Sequence, residues 1–327
     1  MAMASTEQKS FHICTPLHKS LALSKVAGTT IYLKLDNVQP TGSFKIRGVG
    51  HLCQKAAEKN CKHFVCSSGG NAGLAAAYAA QKLQIPATIL VPSSTPLFTI
   101  ERLEEYGALV EVVGKVWDDA NKQALKLSEN DGWVYIPPFD HPLIWEGHAS
   151  IVVELWEALP CKPGAIILSV GGGGLFCGVV EGLKKVGWRD VPIIAMETKG
   201  ADSLSEAVKA GRLVTLPDIT SVAKSLGAKT VCEKALQNTQ EHNVYSEVIS
   251  DYEAVHAVER FLDDERILVE PACGASIAAV YSGILQRLQQ EGELPKDMQP
   301  VVVIVCGGSS ITMAQLNEYR MQLQRDA

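Results

Sequence analysis

Four consecutive glycines, Gly171-Gly172-Gly173-Gly174, follow the apolar run Ala165–Val170 and precede a helical pattern that opens at Leu175. Such a loop can turn sharply and aim several backbone N–H groups at one point. The helix behind it adds the positive end of its dipole, so the place suits a phosphate. Two familiar phosphate loops do not fit. The sixth position counted from Gly171 is Phe176, which breaks the dinucleotide spacing, although Glu197 lies where a ribose-binding acid would be expected. No Lys-Ser or Lys-Thr follows the glycines, so the Walker pattern fails as well. The loop then suits a single phosphomonoester, or serves simply as a flexible turn.

Three other segments carry chemistry. Ser43-Phe44-Lys45-Ile46-Arg47-Gly48 follows Pro40-Thr41-Gly42 and opens a helix. A lysine in the first turn sits at the unfavourable end of the dipole. With apolar Phe44 and Ile46 beside it, the neutral, nucleophilic amine is favoured. Taken alone, such a lysine is more often surface charge. Ser67-Ser68-Gly69-Gly70-Asn71 offers hydroxyls, N–H groups and a carboxamide at another helix start, suited to a carboxylate or an aromatic hydroxyl, or simply to capping that helix. Cys306-Gly307-Gly308-Ser309-Ser310 ends the apolar run Val301–Val305, at the kind of sheet edge where α/β sites form. Cys306 on its own reads equally as a packing residue.

The elements that must position these segments alternate between short β-branched runs and helical patterns, which gives an α/β chain with mostly parallel sheets. Strands are predicted at 31–35, 64–67, 88–91, 110–113, 165–170, 192–196 and 301–305. Helices are predicted at 44–57, 72–83, 95–106, 116–127, 175–186, 251–262 and 272–290. Pro137, Pro138 and Pro142 punctuate the chain. Residues 39–142 are therefore predicted to form a smaller unit, with 1–38 and 143–327 forming a larger one.

With 46% apolar and 20% charged residues, the 327-residue chain can bury a large core. A net charge of -6 without a basic run argues against a nucleic-acid partner. No run is long enough to span a bilayer. Nine cysteines, an odd number without Cys-x-x-Cys, together with no signal peptide, place the expected protein in the cytoplasm. Glu146-Gly147-His148 lacks the spacing of a helical metal pair, and Asp263-Asp264-Glu265 reads as a solvated helix end. The chain after the last expected helix leaves no room for a regulatory domain.

Together the four segments resemble the fold-type II pyridoxal-phosphate enzymes (the tryptophan synthase β-like fold, two open twisted mostly parallel sheets flanked by helices). Within them the chain is most similar to the animal L-serine dehydratase/L-threonine deaminase group, including its serine dehydratase-like paralogue. The likeness runs from about His12 to near the C-terminus. It implies that Lys45 is joined to the cofactor aldehyde, with Phe44 packed against the pyridine ring. Gly171, Gly172, Gly173 and Gly174 would bind the cofactor phosphate, Asn71 the ring hydroxyl, and Cys306 the pyridine nitrogen. Ser68, Gly69, Gly70 and Asn71 would hold the substrate carboxylate. A monovalent cation such as K+ would sit on Glu197 and the carbonyls of Gly171, Ala201, Leu226 and Ala228.

The implied activity is elimination from L-serine and L-threonine. Lys45 would take the α-proton, and the cofactor phosphate or Ser68 would supply the leaving-group proton. The resemblance also implies a homodimer with a small amino-acid substrate. A neutral thiol at the ring nitrogen suits prompt elimination better than transamination. Related racemases resemble Ser-Ser-Gly-Asn around residue 69 and carry a serine hydroxyl there. Gly69 has no side chain to deliver a proton, so racemisation should be minor. Dehydratases often carry Ala at this place and the paralogue carries Gly, so the turnover rate is left open. Three rivals stand: a nicotinamide dehydrogenase, a catalytically weak cofactor-binding protein, and a β-replacement enzyme of the cysteine synthase type.

Overall fold

The computed structural model describes residues 9–298 and 300–325. Residues 1–8 and 326–327 of the predicted larger unit therefore lie outside the described residues, as does Gln299. Among the described residues ten strands form two sheets: β1 (Leu17–Ser20), β2 (Ile31–Leu35), β3 (His63–Cys66), β4 (Ala87–Val91), β5 (Leu109–Val112), β6 (Trp133–Tyr135), β7 (Ala165–Ser169), β8 (Ile193–Thr198), β9 (Val244–Ile249) and β10 (Val301–Val305).

The larger sheet runs β1-β2-β10-β7-β8-β9 and the smaller β5-β4-β3-β6. Every pairing is parallel except β1 with β2. β10 lies between β2 and β7, with Val301 opposite both Ile31 and Ala165. Its five residues are all buried, as are those of β7. A continuous apolar run is what a parallel strand covered on both faces requires. Helices on both faces complete one core around the six-stranded sheet and two more on the four-stranded one.

Most predicted elements are present, with ends moved by a residue or two. Three strands were not foreseen. β1 is an edge strand with two of its four residues exposed, and β6 has only three residues, all half-buried. β9 is an edge strand of mixed polarity. None carries the apolar run that marks a central strand. The predicted helix 272–290 is two helices, Pro271–Tyr281 and Ile284–Gln290, broken at Gly283, whose φ of 73° no helix continues. Pro142 does not end an element. It stands at the first position of the helix Pro142–His148, where its missing N–H costs nothing.

Candidate active site

The four chemistry-bearing segments meet where the carboxyl ends of β3, β7 and β10 face one another. A cleft is lined there by Phe44, Lys45, Asn71, Gly171–Gly174 and Cys306, among others. Ser68, Gly69 and Gly70 approach along the loop that leads to Asn71, but they are not among its lining residues. Of the residues expected around a cation, Gly171 and Leu226 line the cleft, while Glu197, Ala201 and Ala228 do not.

Lys45 is the first residue of the helix Lys45–Glu58. Its amine donates to the carbonyl of Pro138 at 2.6 Å and lies 5.2 Å from the centre of the Phe44 ring. Burial lowers its pKa to about 8, against weaker opposing influences from Cys306 and Cys66. A useful fraction of the amine is then neutral near physiological pH. The helix start is fixed from behind: the Phe44 N–H donates to the Cys306 carbonyl, and Ser43 bridges Gly307.

Gly173, at φ 91°, caps the helix Gly174–Lys185. That backbone angle is strained for any residue with a side chain. Among the described residues no backbone carbonyl accepts from the N–H groups of Gly171 to Gly174. These donors stand at a helix N-terminus on the cleft wall, which is the chemistry of a phosphate cradle. On that ground the residues fit pyridoxal phosphate: donors for its phosphate, a partly neutral amine for its aldehyde, and an aromatic ring beside that amine.

Cys306 is buried, and its thiol is held far above its ordinary pKa by the neighbouring Cys273 thiol and by burial. It is a neutral group. Asn71 opens the helix Asn71–Leu83; its Nδ2 faces both oxygens of Glu270, and its Oδ1 accepts from Ser309. The Ser68 hydroxyl accepts from the Gly70 N–H at 3.3 Å, which leaves its own hydrogen to donate. The Glu197 carboxylate is fully buried and takes the N–H groups of Leu204 and Ser205 at 2.8 and 2.7 Å. Burial raises its pKa to about 8.

Sequence reasoning missed Glu270, Ser225 and Phe139, all of which line the cleft. The signal for Glu270 was an acid directly before Pro271 at a helix start, which reads as ordinary capping.

A two-sheet α/β fold with a half-buried lysine and a glycine cradle on one cleft defines a class of enzyme built to hold a phosphorylated aldehyde. The pattern of the family described as "Pyridoxal-phosphate dependent enzyme" matches residues 9–307, and the chain belongs to that family. It is 63% identical to the L-serine dehydratase/L-threonine deaminase of Bos taurus, over 96% of this chain and 97% of that one. It is 61% identical to the human protein called serine dehydratase-like, over 97% and 96%. The crystal structure of a fungal L-serine ammonia-lyase from Rhizomucor miehei superposes with a TM-score of 0.90 at 38% identity, covering 96% of this chain and 99% of that one. Among the described residues no helix is long and apolar enough to cross a membrane.

Proposed function

We propose that this chain is a pyridoxal-phosphate-dependent ammonia-lyase that converts L-serine to pyruvate and ammonia, and L-threonine to 2-oxobutanoate and ammonia. The observation that carries the reading is the Lys45 amine, lowered toward neutrality and facing four unclaimed N–H groups across one cleft. The names of its relatives support the substrate pair.

Pyridoxal phosphate, when bound, supplies an aldehyde for amines to join and a conjugated ring that takes up the electron pair left by α-proton removal. Gly171–Gly174 would hold its phosphate through their N–H groups. Phe44 would pack against its ring, Asn71 would hold the ring hydroxyl, and Cys306 would serve the ring nitrogen. As a neutral thiol Cys306 brings no charge to hold a proton on that nitrogen, which favours early loss of the β-substituent. The loop Ser68–Asn71 orients the substrate carboxylate. Lys45, as a neutral amine, would be the base that takes the α-proton. The β-hydroxyl leaves as water only if it gains a proton, and the Ser68 hydroxyl is the protein's own donor for it. The enamine released in this way hydrolyses to the keto acid and ammonia.

The same reading places a monovalent cation, K+, on Glu197 and the carbonyls of Gly171, Ala201, Leu226 and Ala228. There it would brace the glycine loop and neutralise a buried carboxylate. The Leu226 backbone supports this, because a Cβ on Gly171 would lie 2.9 Å from the Leu226 Cα. We also assign 39–142 to a small catalytic unit, the remainder to a larger one, the assembly to a homodimer and the protein to the cytoplasm. The test is pyruvate release from L-serine by wild type and Lys45→Ala. The wild type should be coloured and active; the variant should be folded, colourless and inactive.

A further inference from the structure

Glu270 is 3% exposed, and among the described residues no cation pairs with it. Its carboxylate is held instead by three neutral donors from three parts of the chain. The Ser310 N–H donates to Oε1 at 2.7 Å, the Ser225 hydroxyl donates to Oε2, and Asn71 Nδ2 approaches the two oxygens at 3.3 and 3.2 Å. The fit is close. Gly308 has a φ of 117°, and a Cβ there would fall 2.1 Å from the Glu270 Cδ.

The two ends of an Asn side chain have nearly the same shape, so what orients it is the polarity of its neighbours. A carboxylate can only accept, and a backbone N–H can only donate. Asn71 has one of each on opposite sides: Glu270 at Nδ2, and the Ser309 N–H at Oδ1, 3.2 Å away. These one-way partners forbid the flipped amide. The Nδ2 group carries two hydrogens and Glu270 engages one. The second is left to donate into the cleft that Asn71 lines.

We propose that Glu270 is a positioning residue that fixes Asn71 with an N–H, not its carbonyl, toward the ring oxygen of the cofactor, and thereby keeps that oxygen ionised. The inference rests on the reading that Asn71 meets the ring hydroxyl. A carbonyl in that place would demand a hydrogen from the ring oxygen and favour its protonated form. Glu270 also exerts a second, opposite influence, because its negative charge disfavours another anion nearby. The direct hydrogen bond outweighs it, since the carboxylate acts from the far side of Asn71 and its own charge is spread over three donors.

That opposition makes the test directional. Wild type, Glu270→Gln and Ser225→Ala are each loaded with pyridoxal phosphate, and the ratio of the visible band (ionised ring oxygen) to the near-ultraviolet band is measured. Borohydride reduction and peptide mass spectrometry report whether Lys45 carries the label. Glutamine can donate as well as accept, so it releases the lock while keeping the shape. The expected result is a roughly threefold to tenfold fall in the ratio for Glu270→Gln, with a smaller fall for Ser225→Ala. Lys45 should stay labelled, and Asn71→Ala should remove most of the effect of Glu270→Gln.

A ratio that rises would show Glu270 acting only as a charge, and an unchanged ratio would show it acting on packing alone; either result overturns the proposal. If Glu270→Gln does not fold, the direction of the Ser225→Ala shift decides. Absence of label on Lys45 in the wild type would instead remove the cofactor reading beneath it.

Discussion

The Phe44 N–H donates to the carbonyl of Cys306 at 3.2 Å, so the residue before the reactive lysine is tied to the end of β10. One hydrogen bond thus joins the two sides of the cleft on which amine and thiol stand.

Lys45 should reveal itself by its pH dependence. Its pKa is lowered to about 8, chiefly by burial. Below that value the amine is protonated, and the rate of capture of added pyridoxal phosphate by the apoprotein should fall about tenfold per pH unit. Above it the rate should level off. Stopped-flow absorbance measures this directly; a rate still climbing at about pH 10, the range of an ordinary lysine, would contradict the assignment. Lys45→Ala should lose about 10³-fold or more in pyruvate formation.

Gly172→Ala should weaken cofactor binding. The added carbon would lie 2.3 Å from Cγ of Phe139, inside the contact distance of any two carbons. Either the ring or the loop must move, and the loop carries the phosphate donors. An increase of roughly 10- to 100-fold in the Kd for pyridoxal phosphate, by fluorescence titration, is expected. An unchanged Kd would mean that the loop does not hold the phosphate.

Arg47 predicts a loss of stability rather than of chemistry. Its fully buried guanidinium contacts Asp36 at 2.6 and 2.8 Å and Glu154 at 2.5 and 2.9 Å. Lys34 reaches Glu154 as well, at 2.5 Å. Arg47→Met leaves buried carboxylates short of a partner and should cost about 3–5 kcal/mol in urea unfolding. Arg47→Lys cannot reproduce the fork and should recover only part of that. A loss within experimental error for Arg47→Met would show that the cluster is not holding the helix that starts at Lys45.

The cation reading is tested by ion exchange. Replacing K+ with tetramethylammonium should lower the Tm of the wild type by about 2–4 °C, through loss of a ligand that binds only the folded state. In Glu197→Gln the two salts should give the same Tm. An equal shift in both proteins would place the ion elsewhere.

The chain announced its central strands because burial on both faces calls for apolar runs: Val301–Val305 is wholly aliphatic, Ile31–Leu35 is apolar but for Lys34, and both have the predicted ends. β6, Trp133–Tyr135, is only three residues and too short a run to stand out, whereas the edge strand β9 mixes polar and apolar residues as a loop does. Among the site residues, the glycines, Lys45 and Cys306 sit beside apolar runs that mark them, and they do converge on one cleft. Glu270 does not announce itself. Its partners Asn71 and Ser225 lie 199 and 45 residues away, and only folding makes it a neighbour of either. His148 was weighed as a metal ligand and set aside. It is fully buried against the Phe44 ring, at 4.9 Å between ring centres, and its two nitrogens have no partner among the described residues.

β10 is gripped along its length by β2 on one side and β7 on the other, and every one of its side chains is covered. Shifting its tip would mean breaking two ladders at once and exposing five aliphatic residues to water, a penalty far larger than any substrate contact can offset. The thiol at that tip therefore belongs to the stationary jaw. Any adjustment of the cleft to a bound molecule therefore falls on its loops and not on this strand.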